Sequence, residues 1–317
     1  MTTSGECIAL RADGLTKRYG DLVAVDDLSF AVRRGEIFGF LGPNGAGKTT
    51  ALKMMCGLLR PDAGSVEIAG RPLVAGRGAG ASAIGVAPQN AVFWPLLTCR
   101  EQLEFVGRSH GLTAALARER VAELLAALGL QEKADQLGRT LSGGMQRRLN
   151  IALGLVHRPE ILLLDEPQAG LDPQSRVLVR DYVRALAGAM TVVITTHDME
   201  EAEKLCQRVC IVDRGRLLAL DTVAGIKRQA GEGDRFELEL NVDLAAALLP
   251  ALGELPAAPA VVVKGATLCF AAAGGNELLA RVLRVVAERG LGLVQLRMRR
   301  ATLEDVFIRL TGRGLRE

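Results

Sequence analysis

The sequence predicts an α/β fold, a parallel sheet wound with helices, on two patterns and a length. Short apolar or β-branched runs at residues 37–41, 161–164 and 191–195 each feed a polar loop and then a helical pattern, the rhythm of buried parallel strands with helical connections. Ahead of them, apolar residues tend to alternate from Cys7 to Val32, as in Leu28, Phe30 and Val32 around Ser29 and Ala31, and Val66 and Ile68 continue the pattern around Glu67. That spacing suits short half-buried strands. At 317 residues the chain has room for about two domains and a large core.

Residues from about 90 to 159 read as a helical insert in the α/β domain. Thr98 and Glu101 stand in capping-box spacing before Leu103 and Val106, and Leu116, Val121, Leu124, Leu125 and Leu128 form an apolar face that stops at Gly129. After Asp221 the composition shifts to glycine and charge, which marks a connection, residues 225–234, between a first domain, 1–224, and a second, 235–317. In the second, Phe236, Leu238 and Leu240 alternate with Glu237 and Glu239. A helix near 244–252, strands near 261–263 and 268–270, a helix at 276–288 and a strand at 292–298 follow. Strand, helix, strand, strand, helix, strand is the split βαβ order of a small α+β ferredoxin-like domain.

Composition excludes several classes. The chain is 49% hydrophobic and 24% charged, ordinary for a folded protein and unlike a disordered tail. Its 39 basic and 36 acidic residues leave a formal charge of +3, too small and too diffuse for a nucleic-acid footprint. The six cysteines have no regular spacing and the N-terminal residues carry no leader pattern, which is read as reduced thiols in the cytosol. The most apolar region, 244–273, is interrupted by Pro250, Glu254, Pro256, Pro259 and Lys264. It falls short of the ~18 to 20 residues of a membrane span, so the chain is not expected to cross a bilayer unaided.

Gly42, Pro43, Asn44, Gly45, Ala46, Gly47, Lys48 and Thr49 fit the eight-position phosphate-loop pattern, directly after the strand-like run 37–41 and before a helical stretch that includes Thr50. Glycines let successive N–H groups turn inward at phosphate oxygens, and the helix offers its positive end to the same oxygens. Lys48 would bridge the β- and γ-phosphates, and the Thr49 hydroxyl would sit on Mg²⁺. Gly76, Gly78 and Gly80 resemble a second such loop but lack its Lys-Thr end and read as a connection.

Residues 161–164 run straight into Asp165 and Glu166, so two carboxylates emerge at the carboxyl end of a buried strand and face different ways. Asp165 is placed to hold Mg²⁺ and Glu166 to polarise a water for attack on the γ-phosphate. His197 follows the run 191–196 and suits a hydrogen bond to the γ-phosphate or the attacking water. Gln89, after the strand-like stretch 84–86, can ligate Mg²⁺ through its side-chain carbonyl. Ser142, Gly143 and Gly144 stand before a strongly helical stretch and form a second anion-binding helix end. With two such ends and one Lys-Thr loop, the economical arrangement completes the site with a partner chain.

These residues resemble the nucleotide-binding subunit of an ABC transporter from Leu10 to Asp221. The run from Leu141 to Gln146 looks like the signature motif and lies between phosphate loop and acidic strand, as the family requires. The resemblance implies a P-loop NTPase fold with an antiparallel β-subdomain and a helical subdomain. It implies roles for Tyr19 as the aromatic that stacks on adenine, for Gln89 in the Q-loop, for Asp165 and Glu166 as the Walker B pair and for His197 as the switch histidine. The stretch from Ala169 to Asp172 resembles the D-loop; Asp172 and Pro173 also read as N-cap and first residue of the next helix. Gln168 departs from the Thr or small residue usual after the acidic pair and Pro167. The tail from Ala301 to Gly312 is similar to the extension on ATPases of the ABC-2, daunorubicin-resistance type. Its domain is open to two readings, a dimer-stabilising appendage or a regulatory one.

What the resemblance implies is an ATPase that dimerises around two Mg-ATP molecules at the cytoplasmic face of the cell membrane. It would power export of a drug-like or hydrophobic substrate through a separate integral membrane permease, with no nucleic-acid partner. The permease would dock near residues 89–97, where Phe93 and Trp94 either face it or pack under the helical insert. The alternative is a soluble ABC ATPase acting on ribosomes or DNA; neither a second ATPase half nor a long coiled-coil insertion is present to favour it.

Overall fold

The two kinds of apolar pattern resolve into two different sheets in the first part of the chain. A computed structural model describes residues 7–74, 81–229, 234–241, 262–272, 276–299 and 301–311. These fall into two compact units that divide between Thr222 and Val223.

The alternating stretch forms two long strands, Ile8–Tyr19 (β1) and Leu22–Arg33 (β2), not several short ones. They pair antiparallel with register shifts near Leu10, Leu15 and Lys17. Bulges of this kind break the period-two pattern and make one bent strand read as several pieces. Ala63–Ile68 (β4) and Arg71–Pro72 (β5) complete an antiparallel sheet of order β2-β1-β4-β5.

The continuous apolar runs become a second sheet built from Ile37–Leu41 (β3), Ile84–Ala87 (β6), Ile161–Asp165 (β7), Thr191–Thr196 (β8), Arg208–Asp213 (β9) and Arg216–Thr222 (β10), in the order β10-β9-β3-β8-β7-β6. All but β10 run parallel. Every residue of β3, β7 and β8 is buried, which is why these strands show no alternation. Phe30 stacks on Phe38 at 5.6 Å between ring centroids, tying the two sheets into one core with Phe40, Met54, Met55 and Leu163. The chain positions of β9 and β10 carry no strand expectation from the sequence, although the apolar run Val209 to Val212 and the turn after it were the available signal. Arg214 and Gly215 both have positive φ, 49° and 78°, the requirement of a two-residue type I′ hairpin turn.

Cys99–Ser109 (α2), Ala114–Ala127 (α3) and Gly143–Leu155 (α4) form the helical insert. The Thr98–Glu101 capping box forms in full, and Gly129 adopts positive φ just beyond α3, as the sequence predicts. Leu103, Val121, Leu124, Leu125, Leu149 and Ile151 are buried in and around it.

In the second unit Asp234–Leu240 (β11), Val262–Lys264 (β12), Thr267–Ala272 (β13) and Leu293–Arg299 (β14) make an antiparallel sheet of order β12-β13-β11-β14. That is the strand order of the split βαβ arrangement. Asn276–Glu288 (α8) packs its Val282 and Val286 on Phe236, Leu238 and Phe270. The helix expected near 244–252, Gly76, Gly78 and Gly80, and the tail beyond Thr311 lie outside the described residues. The segment 225–234 begins inside a helix, Val223–Gln229 (α7), whose Ile226 is buried; the glycines around it hid that contact. Leu303–Thr311 (α9) starts with Thr302 and Asp305 in a reciprocal cap and buries Leu303, Val306 and Phe307.

Phe38 is fully buried, stacked on Phe30, with the Arg208 guanidinium 5.7 Å from its ring. Phe38→Ala is expected to cost about 3–5 kcal/mol of stability in denaturant unfolding, and a loss under about 1 kcal/mol would contradict this packing.

Candidate functional site

Parallel registry sets the site. Leu41 pairs with Thr196 across β3 and β8, and Asp165 with Thr195 across β7 and β8, so the loops that follow three strands leave the same edge of the sheet. In open α/β sheets this edge is where ligands bind. Residues 42–47 curl there into Lys48–Met55 (α1). Two glycines are required by shape: a Cβ at Gly42 would lie 2.3 Å from the Val212 carbonyl oxygen, and one at Gly47, whose φ is 96°, 2.3 Å from that of Ala24.

Lys48 donates to the carbonyls of Gly42 (2.8 Å) and Pro43 (3.0 Å) and lies 3.4 Å from a Glu166 oxygen. Burial pushes its ammonium below the ordinary lysine value, opposed first by Glu166 and then by Asp165. The Thr49 hydroxyl donates to one oxygen of Asp165 at 3.1 Å, and the Thr195 hydroxyl donates to the other. Glu166 follows at φ 48°, a left-handed backbone that a non-glycine residue keeps only when its surroundings enforce it. Its N–H donates to the carbonyl and hydroxyl oxygens of Thr195, each at 3.1 Å. His197 Nδ1 stands 3.0 Å from both Glu166 carboxylate oxygens.

A cleft of about 590 Å³ opens over these groups. Tyr19, Asn44, Gly45, Gly47, Lys48, Thr49, Thr50, Gln89 and Glu166 line it, with Gly42, Pro43 and Ala46 completing the loop beneath. Tyr19 is half exposed at the rim rather than in the core, with Lys17 Nζ 5.9 Å from its ring centre. Two oxygen ligands, the Thr49 hydroxyl in the cleft wall and the Asp165 carboxylate buried behind it, meet at 3.1 Å. No group of three or more His, Cys, Asp or Glu side chains able to hold a metal occurs among the described residues. A hard divalent cation that takes one or two protein oxygens and draws the rest from water and phosphate fits such a pair.

Ser142, Gly143, Gly144, Gln146 and Asp172 do not line this cleft. Ser142 caps α4 by accepting from the Met145 N–H (3.4 Å), and Asp172 caps Pro173–Ala185 (α5) by accepting from the Ser175 N–H (2.9 Å). A Cβ on Gly144 would come within 2.6 Å of Ser175 Oγ, so the two helix starts touch and form a separate, exposed edge. Gln146 is turned back to the Leu141 carbonyl at 3.1 Å. Phe93 is half buried against Gly138, while Trp94 stays 43% exposed with its ring edge-on to Phe105. The two rings therefore divide between the packed and the surface position.

Two residues of the site, Thr195 and Arg214, and two that pack behind it, Arg147 and Asn150, escaped sequence reasoning. Thr195 was one of three threonines in a β-branched strand. Arg147 and Asn150 looked like ordinary helix positions, yet both are buried on α4 and hold backbone carbonyls. Arg214 reaches the cleft through the β9–β10 turn, which Gly215 pins by donating to the Ala46 carbonyl.

A glycine loop closed by Lys-Thr between a buried strand and a helix, with a carboxylate pair ending the next strand but one, defines a P-loop ATPase. The particular family follows from comparison with known proteins. The ABC transporter family matches residues 25–169. Nod factor export ATP-binding protein I of Ralstonia nicotianae is 41% identical over 322 residues, 99% of this chain and 97% of that protein. A daunorubicin resistance ATP-binding protein of Streptomyces coeruleorubidus is 41% identical over 96% of each chain. A linearmycin resistance ATP-binding protein of Bacillus subtilis is 38% identical over 97% of this chain and all of that one. A solved structure of an ATP binding subunit of an ABC transporter superposes with TM-score 0.65 at 28% identity, over 70% of this chain and 93% of that one. The chain belongs to the ABC transporter ATP-binding family and is an ATPase. No helix among the described residues is long and apolar enough to cross a membrane.

Gly47→Ala adds a left-handed strain of about 1–3 kcal/mol to a backbone clash. ATP affinity measured by equilibrium dialysis is expected to fall by at least ~10-fold; an unchanged affinity would contradict the loop geometry.

Proposed function

We propose that this chain is the ATP-hydrolysing subunit of an ABC exporter. Two copies close around two Mg-ATP molecules at the cytoplasmic face of the cell membrane and drive a separate integral membrane permease that exports a drug-like or hydrophobic substrate. In this reading residues 1–224 are the nucleotide-binding domain, 225–234 the linker and 235–317 an accessory domain.

The observation that carries the shared site is the division of anion-binding groups within one chain. The cleft over Lys48 holds one phosphate-binding helix start, while the second, at Ser142 to Gly144, sits on a different exposed edge beside Asp172. A helix N-terminus with free N–H groups attracts phosphate; placed outside its own cleft, it serves the cleft of another copy. The export reading is supported by relatives named for Nod factor export and for daunorubicin and linearmycin resistance.

Within the site Lys48 and the N–H groups of the loop grip the β- and γ-phosphates, and Tyr19 stacks on adenine at the rim. Thr49, Asp165 and Gln89 would hold Mg²⁺ through their side-chain oxygens, and the cation would supply charge neutralisation to the phosphoryl oxygens. Glu166 takes a proton from water as that water bonds to the γ-phosphorus and the bond to the bridging oxygen breaks, leaving ADP and phosphate. His197, 3.0 Å from both Glu166 oxygens, orients that carboxylate and reaches the γ-phosphate side.

Glu166→Gln is expected to keep ATP binding but to slow hydrolysis by ~10² to 10⁴, or ~3 to 5 kcal/mol in barrier; near-normal turnover would remove Glu166 from the role. Ser142→Arg is expected to leave ATP binding by the isolated monomer intact and to abolish the ATP-dependent dimer. Sedimentation showing that dimer in the variant would overturn the shared site.

A further inference from the structure

Arg147 lies on α4 with 4% of its surface exposed, in contact with two segments far apart in sequence. Nη1 donates to the carbonyls of Pro88 and Gln89, Nη2 to the carbonyl of Asp165, and Nε to that of Pro167 at 3.1 Å. One side of the guanidinium therefore holds the loop that carries Gln89. The other holds the carbonyls of Asp165 and Pro167, the residues on either side of Glu166, which sits at φ 48°. No carboxylate pairs with Arg147 directly among the described residues. Its charge is met by carbonyl dipoles.

Helix packing alone does not call for this residue. Burying a cation costs more than it returns unless each N–H finds an acceptor in good geometry, and an unbranched apolar side chain would fill the same space. A planar fork with donors on three sides is the group that can hold four carbonyls from two chain segments at once. Asn150, one turn further along α4, donates to Pro88 (3.0 Å) and accepts from the Val92 N–H (3.2 Å). It binds the same loop, but it does not reach the Glu166 turn.

We propose that Arg147 is a positioning residue for hydrolysis: its guanidinium ties the loop of Gln89 to the turn of Glu166, so that displacement of the loop is transmitted to the carboxylate. This rests on the reading of Glu166 as the group that activates water. The loop beyond Gln89 presents Val92, Trp94 and Leu96 to solvent, so beyond the pairing of β6 with β7 a contact made there lies one side chain away from the Glu166 turn. Coupling of this kind needs a physical link between the two elements rather than mere proximity, and the guanidinium supplies one.

The test compares Arg147→Lys, Arg147→Met and Asn150→Ala in the full chain, reading kcat, KM for ATP, the thermal midpoint and the ATP-induced change in emission of Trp94, the single tryptophan. Lysine keeps charge and stem but loses the fork. Both Arg147 variants are expected to lose ~10- to 100-fold in kcat, the scale of a reacting group misplaced by about an ångström. KM should stay within ~3-fold and the Trp94 response should no longer track turnover, while Asn150→Ala keeps kcat within ~3-fold. The inference is overturned if Arg147→Lys hydrolyses ATP like the parent, or if in both Arg147 variants kcat and thermal midpoint fall together while KM rises well beyond ~3-fold. An equal loss of kcat in Asn150→Ala also overturns it. Failure of the underlying reading is separable, because it appears as parent-like turnover in Glu166→Gln whatever the Arg147 variants do.

Discussion

The hydrogen bond from Thr49 to Asp165 closes the phosphate loop onto the end of β7, and the remaining groups of the site are arranged around that closure. The two residues are 116 positions apart and meet because β3 and β7 both run parallel to β8 and end in register with it. Asp165 is fixed from its other side by Thr195, and Glu166, one residue further on, leaves the strand in a left-handed conformation. The loop, Thr49, Asp165 and Glu166 thus share one edge through strand registry rather than through any local motif.

Electrostatics follows from the same closure. Lys48 is a buried cation whose charge is met by two loop carbonyls and by Glu166, so its ammonium competes for the same small space as the carboxylates. Burial also lowers the Arg147 guanidinium to about 10, with Asp165 and Glu166 opposing the shift. The Arg147 guanidinium remains cationic at neutral pH. Around Lys48 the loop N–H groups and the start of α1 add their partial positive charges, which favour a polyphosphate.

Much of the architecture was legible because the signals were local. The Lys-Thr loop, the acidic pair at a strand end and the Thr98–Glu101 cap each occupy a few consecutive residues, and the structure assembles them where their spacing implies. What escaped reading depends on contacts between distant segments. The bulges of β1 hid two long strands, the glycines around the buried Ile226 hid α7, and a hairpin in a stretch without a strand expectation brought Arg214 to the cleft. Arg147 and Arg148 stand side by side in sequence, and both are buried with guanidinium donors aimed at backbone carbonyls; from sequence an arginine pair on a helix is a solvated face. The division of Ser142 from Lys48 is legible in one chain only as a helix end with no cleft of its own.

Mixed pairs of differently tagged chains measure that division directly. In one pair, one copy carries Lys48→Ala and the other Ser142→Arg; in the other, one copy carries both substitutions and its mate neither. If each site is built from the Lys48 loop of one copy and the Ser142 end of the other, the first pair keeps one intact site and hydrolyses ATP, whereas the second has none and is inactive. Activity in the second pair with none in the first would mean that each chain encloses its own nucleotide.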